Sequence, residues 1–181
     1  DVEYEYIYYI YKNKYYKVPT FGKIFKIIDF GRAIYHFKNN IFCSDSFEEG
    51  GDGHGQYNTE PFYDSSKKRI DPNYSFDLCR LGCSIYDFVI DSEMNVKDMD
   101  GFQKIIAEWC SDDEGKNILY KKNGDERYPN FKLYKMIARL VHHHTPTKQL
   151  SNPFFESYTI DDIPEGAVVI DIDNIPSYAT S

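Results

Sequence analysis

The sequence predicts an α+β fold, mainly α, and three observations carry that expectation. The first is an opening stretch in which Tyr4, Tyr6, Tyr8, Tyr9, Tyr11, Tyr15 and Tyr16 crowd around a Lys12-Asn13-Lys14 turn signal, a composition that favours a β-hairpin. The second is an apolar stretch from Ser75 to about Ile90, which reads as the strongest helix in the chain. The third is apolar spacing of three and four residues after Gly101 and again after Phe131, the mark of amphipathic helices.

Composition bounds the classes available. With 181 residues, 41% hydrophobic and 17% aromatic, the chain is long and apolar enough for one well-cored domain and is excluded from the disordered class. A formal net charge of −8 argues against a nucleic-acid or anionic-membrane surface, because phosphate backbones are bound by clustered Lys and Arg. The short basic patch Lys67-Lys68-Arg69 does not reverse that balance. No apolar run approaches the roughly 20 residues needed to span a bilayer, and no signal peptide is evident; the expectation is a soluble protein. The chain begins at Asp1 without methionine, in what reads as the middle of a structured region, so a fragment of a longer protein is expected.

Four cysteines, Cys43, Cys79, Cys83 and Cys110, are scattered, with Cys79 and Cys83 on one face of a helix. Zinc would need two closely spaced ligand pairs, with the His142-His143-His144 run as partners, and buried free thiols in a reducing compartment fit better.

The elements follow in order. After the hairpin and a Val18-to-Gly22 turn, Ile24–Ile28 reads as a buried β-branched strand. From Ile34 to Asn73 regular periodicity disappears, and Gly50, Gly51, Gly53 and Gly55 stand among Glu48, Glu49 and Asp52. This reads as a long, flexible acidic loop; no apolar helix follows it and its acids would repel phosphate, so it is no phosphate cradle. In the stretch from Ser75, apolar residues from Phe76 to Val89 cover nearly the whole circumference, so that helix should be buried on all sides. Ser75 reads as its N-cap, and Asp77 in the first turn suits the helix dipole. A second helix runs from Gly101 to about Cys110 with Asp100 as N-cap. Asp112 to Arg127 reads as a surface loop, and Phe131 to Val141 as a third helix. Thr145-Pro146 starts a short fourth helix ending near Asn152-Pro153. In the acidic tail, Val168 to Asp173 reads as an edge strand or extended arm, with Asp171 and Asp173 as solvated charge rather than a cation site.

The stretch with most chemical promise is Phe25-Lys26-Ile27-Ile28-Asp29-Phe30-Gly31-Arg32-Ala33. An acid at the exit of a rigid strand can hold its carboxylate in a cleft and grip a cation. Gly31 would let the chain swing away, and Phe30 would plug the space between. Asp29-Phe30-Gly31, the preceding Lys26-Ile27-Ile28, and the helix that starts Asp77-Leu78-Cys79-Arg80-Leu81-Gly82 together resemble the C-terminal lobe of protein kinases. In that family a metal-binding Asp-Phe-Gly precedes an activation segment and a buried helix of Asp-x-Trp-Ser-x-Gly type. The end from Thr145 through Leu150-Ser151-Asn152-Pro153-Phe154-Phe155 is similar to the family's closing helix. The phrasing of Phe25 to Tyr35 and of Phe42 to Phe47, with the Lys-, Asn-, Ile- and Tyr-rich composition, looks most like mimivirus-like kinases of giant DNA viruses.

The departures matter too. Arg80 stands where serine is usual, and the tryptophan of that helix is missing. Thr59-Glu60-Pro61 takes the place of Ala-Pro-Glu. His143 is nearest the position of the arginine expected before the last helix. The glycine-rich loop, ATP-contacting lysine and catalytic base lie, in the family, upstream of Asp1.

The resemblance implies a kinase-like lobe over 1–158 with an acidic extension over 159–181. It implies phosphoryl transfer from ATP to protein hydroxyls of Ser/Thr type. Asp29 would be the catalytic Mg²⁺ ligand, Phe30 and Gly31 would complete the ATP-binding motif, and Asp77 would brace the catalytic loop from beneath. Ser44, Ser46 and Thr59 lie where activation segments are phosphorylated, although Asp45 and Glu48 would oppose added charge. The partners implied are a protein substrate and the chain's own missing N-terminal lobe, with no nucleic acid and no membrane, in the host cytoplasm or a virion. Two other readings stand beside it: a catalytically inactive pseudokinase acting as a binding or virion scaffold, and an unrelated α+β interaction module. These residues alone should not catalyse.

Overall fold

The computed structural model describes residues 3–91 and 96–174, and they form an α+β fold. The opening hairpin is present as β1 (Tyr6–Tyr11) and β2 (Lys14–Pro19). Lys12 and Asn13 between them have φ of 51° and 56°. Two left-handed residues in a two-residue loop match the right-handed twist of the strands they join. The next hairpin, β3 (Ile34–Phe37) and β4 (Asn40–Cys43), repeats the device with Lys38 and Asn39 at φ of 47° and 63°. It corrects the expectation of an irregular loop from Ile34. Strands of four residues are too short to show a period, and Lys-Asn is a weaker turn signal than Asn-Gly. Tyr35 stacks on Phe42 across the pair, with ring centroids 5.2 Å apart.

Helix α1 (Phe76–Val89) is followed by α2 (Gly101–Trp109) and α3 (Lys132–Leu140). Asp100 caps α2 by accepting from the Gln103 backbone, and Gln103 returns a bond to the Asp100 backbone N–H, a reciprocal capping box. The expected fourth helix is two short ones, α4 (Pro146–Gln149) and α5 (Pro153–Glu156), each with proline in its first turn and a capping Thr145 or Asn152 before it. The second proline has no N–H to continue α4, so the chain restarts there.

Two apolar clusters lie along α1. Cys79, Cys110, Ile118, Ile137 and Val141 pack toward α3, while Ile90, Met99, Ile105, Ile106 and Trp109 pack toward α2 and α5. α1 is nevertheless buried on one face only: Leu81 is 50% and Phe88 90% exposed. The expectation of burial all round fails because α2 and α3 cover one side and nothing among the described residues covers the other. Ser75 holds the N-cap position of α1, but its side chain makes no capping bond; it is fully buried, and its hydroxyl accepts from the His144 backbone N–H instead.

Asp112 to Arg127 is more than the surface loop expected of it. It contributes fully buried Ile118, and Asp112 and Arg127 pair at 2.8 Å. Isolated bridges Ser111–Asn117 and Tyr120–Glu126 give the segment its shape.

The tail completes the first sheet. β5 (Thr159–Ile160) pairs antiparallel with β2, and β6 (Val169–Asp171) pairs parallel with β1, giving the order β5-β2-β1-β6. Strand pairing thus crosses the boundary drawn at residue 158. Asp171 and Asp173 are structural rather than merely solvated. Asp173 accepts from the backbone N–H groups of Lys12 and Asn13 at 2.9 and 3.2 Å, and Asp171 accepts from Asn174.

β1 and β2 therefore have neighbours on each side. Ile24–Ile28 pairs with no strand among the described residues, so the expected strand is not formed there.

Candidate functional site

The Asp29 motif sits on this segment. Phe25, Ile27, Ile28 and Phe30 are 90%, 84%, 79% and 66% exposed. Asp29 is exposed rather than set in a cleft, and Phe30 plugs nothing. The unusual backbone belongs to Asp29 itself, at φ 62° and ψ 70°, and its carboxylate accepts from the Gly31 N–H at 3.4 Å at the head of a 3-10 turn over Phe30–Arg32. The sequence places the conformational freedom on Gly31 instead. Aspartate tolerates the left-handed region because its short side chain can bond locally, which is what it does here. Arg32 leads out of the turn and meets Asp52 at 3.3 Å on the surface.

The segment from Ser44 to Asn73 is folded rather than loose. Ser44 caps a 3-10 turn over Asp45–Phe47 by accepting from the Ser46 backbone, and the two serine hydroxyls stand 2.9 Å apart. Two glycines let the following chain lie on that turn. A Cβ on Gly51 would come 2.4 Å from the Ser46 carbonyl oxygen, and one on Gly53 would come 2.7 Å from the Phe47 ring. Thr59 is buried, and its hydroxyl donates to Asp71 at 2.6 Å. Asn58 ties the far end, donating to the carbonyls of Asp64, Lys67 and Lys68. Of the three candidate phosphosites, Ser44 and Ser46 are partly exposed and adjacent, whereas Thr59 is locked into the loop.

A cleft of about 1080 Å³ opens between this segment and α3. Lys67, Lys68, Arg69, Arg139 and His142 line it beside Glu49, Asp64 and Asp71. The basic patch is largely neutralised in place: Lys67 pairs with Asp64 at 2.9 Å and Arg69 with Asp71 at 2.8 Å. Hydrogen bonds from Ser66 and Lys67 hold the Asp64 carboxyl well below the usual range, and those from Arg69 and Thr59 lower that of Asp71. Arg139 donates to the Gly55 carbonyl. Such a wall of matched charges suits structure more than capture of a free anion.

Asp77 is exposed in the first turn of α1. Burial pushes the Tyr57 phenol up to about 12, and the charge of Asp77 adds to that. His143, in the region where the kinase pattern has arginine, lies 3.7 Å from Asp113, and Glu60 is exposed. Sequence reasoning missed the acid cluster at the end of α2. There Asp112 pairs with Arg127, while Asp113 accepts from the His142 backbone at 2.8 Å and meets the His142 ring at 2.6 Å. A signal was present in Ser111-Asp112-Asp113 directly after a helix, but acids in a glycine-punctuated stretch read as solvated.

Among the described residues no three His, Cys, Asp or Glu side chains are grouped so as to hold a metal ion, and no helix is long and apolar enough to cross a membrane. No protein-family model, no curated protein and no solved structure matches the chain.

Proposed function

We propose that this chain is the C-terminal part of a divergent protein kinase domain, working by ATP- and Mg²⁺-dependent phosphoryl transfer to protein hydroxyls. The observation that carries the reading is the uncovered ribbon Phe25, Ile27, Ile28 and Phe30 around Asp29. Apolar β-branched and aromatic residues in such density belong in an interior. A contiguous apolar patch of this kind marks a surface that another body covers. On the kinase reading that body is the N-terminal lobe, and docking it would turn 24–28 into the rigid strand the motif requires.

Asp29 would then present its carboxylate to Mg²⁺ bridging the terminal phosphates of ATP. The ion neutralises charge as it develops on the transferred group. Asp77, exposed at the head of α1, would accept backbone hydrogen bonds from the catalytic loop that the kinase reading places upstream of Asp1. Ser44 and Ser46 would be the modifiable pair of the activation segment.

The test is transfer of the γ-phosphate of ATP to the protein itself or to a generic protein substrate, made with the full-length parent chain and its Asp29→Asn variant. Magnesium-dependent transfer that is lost in the variant supports the reading. A folded parent that neither binds nor turns over ATP replaces it with the non-catalytic scaffold.

A further inference from the structure

Three of the four cysteines converge on the contact between α1 and α2. Cys79 and Cys83 stand one turn apart on α1, and Cys110 is the C-cap of α2. The sulfur of Cys110 lies 4.0 Å from that of Cys83, across 27 positions of chain. Gly82 makes the approach available. A Cβ there would stand 3.0 Å from the Cys110 sulfur and 3.1 Å from the Cβ of Trp109, so a side chain would push that sulfur away from α1. Cys79 and Cys110 are buried, whereas Cys83 is partly exposed. A thiol that solvent reaches thus has a buried partner within van der Waals contact on another helix. The hydrogen bonds among the three thiols lower that of Cys83 and, together with burial, raise those of Cys79 and Cys110, so Cys83 is the one of the three that gives up its proton first.

We propose that Cys83 and Cys110 form a disulfide, made by hydrogen peroxide and reversed by a reducing thiol, that fastens α1 to α2. The Cys83 thiolate attacks one peroxide oxygen; an S–O bond forms, the O–O bond breaks, and the departing hydroxide takes a proton and leaves as water. The Cys110 sulfur then attacks the Cys83 sulfenic sulfur; the S–S bond forms, the S–O bond breaks, and the departing hydroxide carries off the Cys110 proton as a second water. The two thiols give up two electrons in all and the peroxide accepts both. Bond formation requires the two sulfurs to move from 4.0 Å to roughly 2.05 Å. Bonding Cys79 to Cys83 instead would join two turns of one helix and leave α2 free.

The sequence makes the pairing readable. Trypsin cleaves after Arg80, Lys97, Lys104 and Lys116, so Cys79, Cys83 and Cys110 fall on three different peptides. The full chain is treated with hydrogen peroxide under native conditions, alkylated and digested without reductant. The expected product joins the Leu81 to Lys97 peptide to the Ile105 to Lys116 peptide, at a mass about 2 Da below their sum, and dithiothreitol abolishes it. Cys79→Ser keeps the link, and Cys110→Ser leaves Cys83 as a sulfenic acid trapped by dimedone. A peptide joining Cys79 to Cys83 overturns the proposal. So does a Cys83 that remains fully alkylated at a peroxide dose that oxidises free cysteine in the same tube. Because the pairing is mapped on the unmodified chain, the result stands even where a variant fails to fold.

Discussion

Replacing Asp112 with alanine should destabilise the protein by about 3 kcal/mol, and the structure supplies the working. The side chain is 3% exposed and pairs with Arg127, itself 18% exposed, at 2.8 Å. It also accepts from the backbone N–H groups of Glu114 and Lys116 at 3.0 and 2.9 Å. Hydrogen bonds to a charged group contribute about 1.5–3 kcal/mol each, and breaking one partner from a buried pair costs about 3–5 kcal/mol. Since Arg127 retains some water and still reaches the Asn117 carbonyl, the lower end applies. Asp112→Asn keeps an acceptor for the backbone and loses only charge, so it should cost about half as much. Urea unfolding read by the single tryptophan, Trp109 at 7% exposure, measures both, and Tm should fall by about 6–12 °C for alanine. Burial raises the Asp112 carboxyl, but the backbone of Lys116 and the Arg127 guanidinium outweigh it and leave it below the ordinary range. A carboxyl depressed in the folded state contributes its stability above the unfolded value. That contribution drains as pH falls below about 4 and through the folded value, and the alanine variant should show a shallower acid dependence. An alanine variant within about 0.5 kcal/mol of the parent would mean that the buried pair contributes no more than an ordinary surface contact, because that is the range of surface changes.

Three other outcomes follow from the same structure. Ile106→Ala, at a fully buried position between α1 and α2, should cost about 3–4 kcal/mol by urea unfolding, mostly from the cavity it leaves. Serine at Phe25, Ile27 and Ile28 together should change the stability of these 181 residues by less than about 0.5 kcal/mol, since all three side chains are uncovered; a loss of several kcal/mol would mean the run is packed. Asp173→Ala should remove the acceptor for the Lys12 and Asn13 backbone, at a cost of about 1 kcal/mol, and speed amide exchange at those two residues ahead of the rest of the sheet.

What the sequence made legible is what neighbours along the chain decide. The Lys12-Asn13 turn, the Asp100 cap and the Thr145-Pro146 start are local chemistry, and each stands where its residues place it. What it hid is set by distant partners. The parallel pairing of β1 with β6 joins the two ends of the described chain, and no short-range pattern announces it. Ile24–Ile28 has the composition of a strand, yet a strand exists only against a neighbour, and this run pairs with none among the described residues. The apolar circumference of α1 likewise promised burial, but Phe88 and Leu81 lie on the side that α2 and α3 leave open. At the candidate site, Asp29 was legible as a residue and not as an environment. Its left-handed backbone and its bond to Gly31 depend on a chain that leaves the core at that point.

The most direct measurement is paramagnetic. In the isotopically labelled full-length parent, Mn²⁺ replaces Mg²⁺ with ATP present, and the backbone resonances that broaden report where the ion sits. A kinase site at Asp29 predicts broadening centred on Phe30 and Gly31 that requires ATP and disappears in Asp29→Asn. Broadening that is absent there, or that centres on the acids Asp171 and Asp173 regardless of nucleotide, would remove Asp29 from the metal and the kinase reading with it.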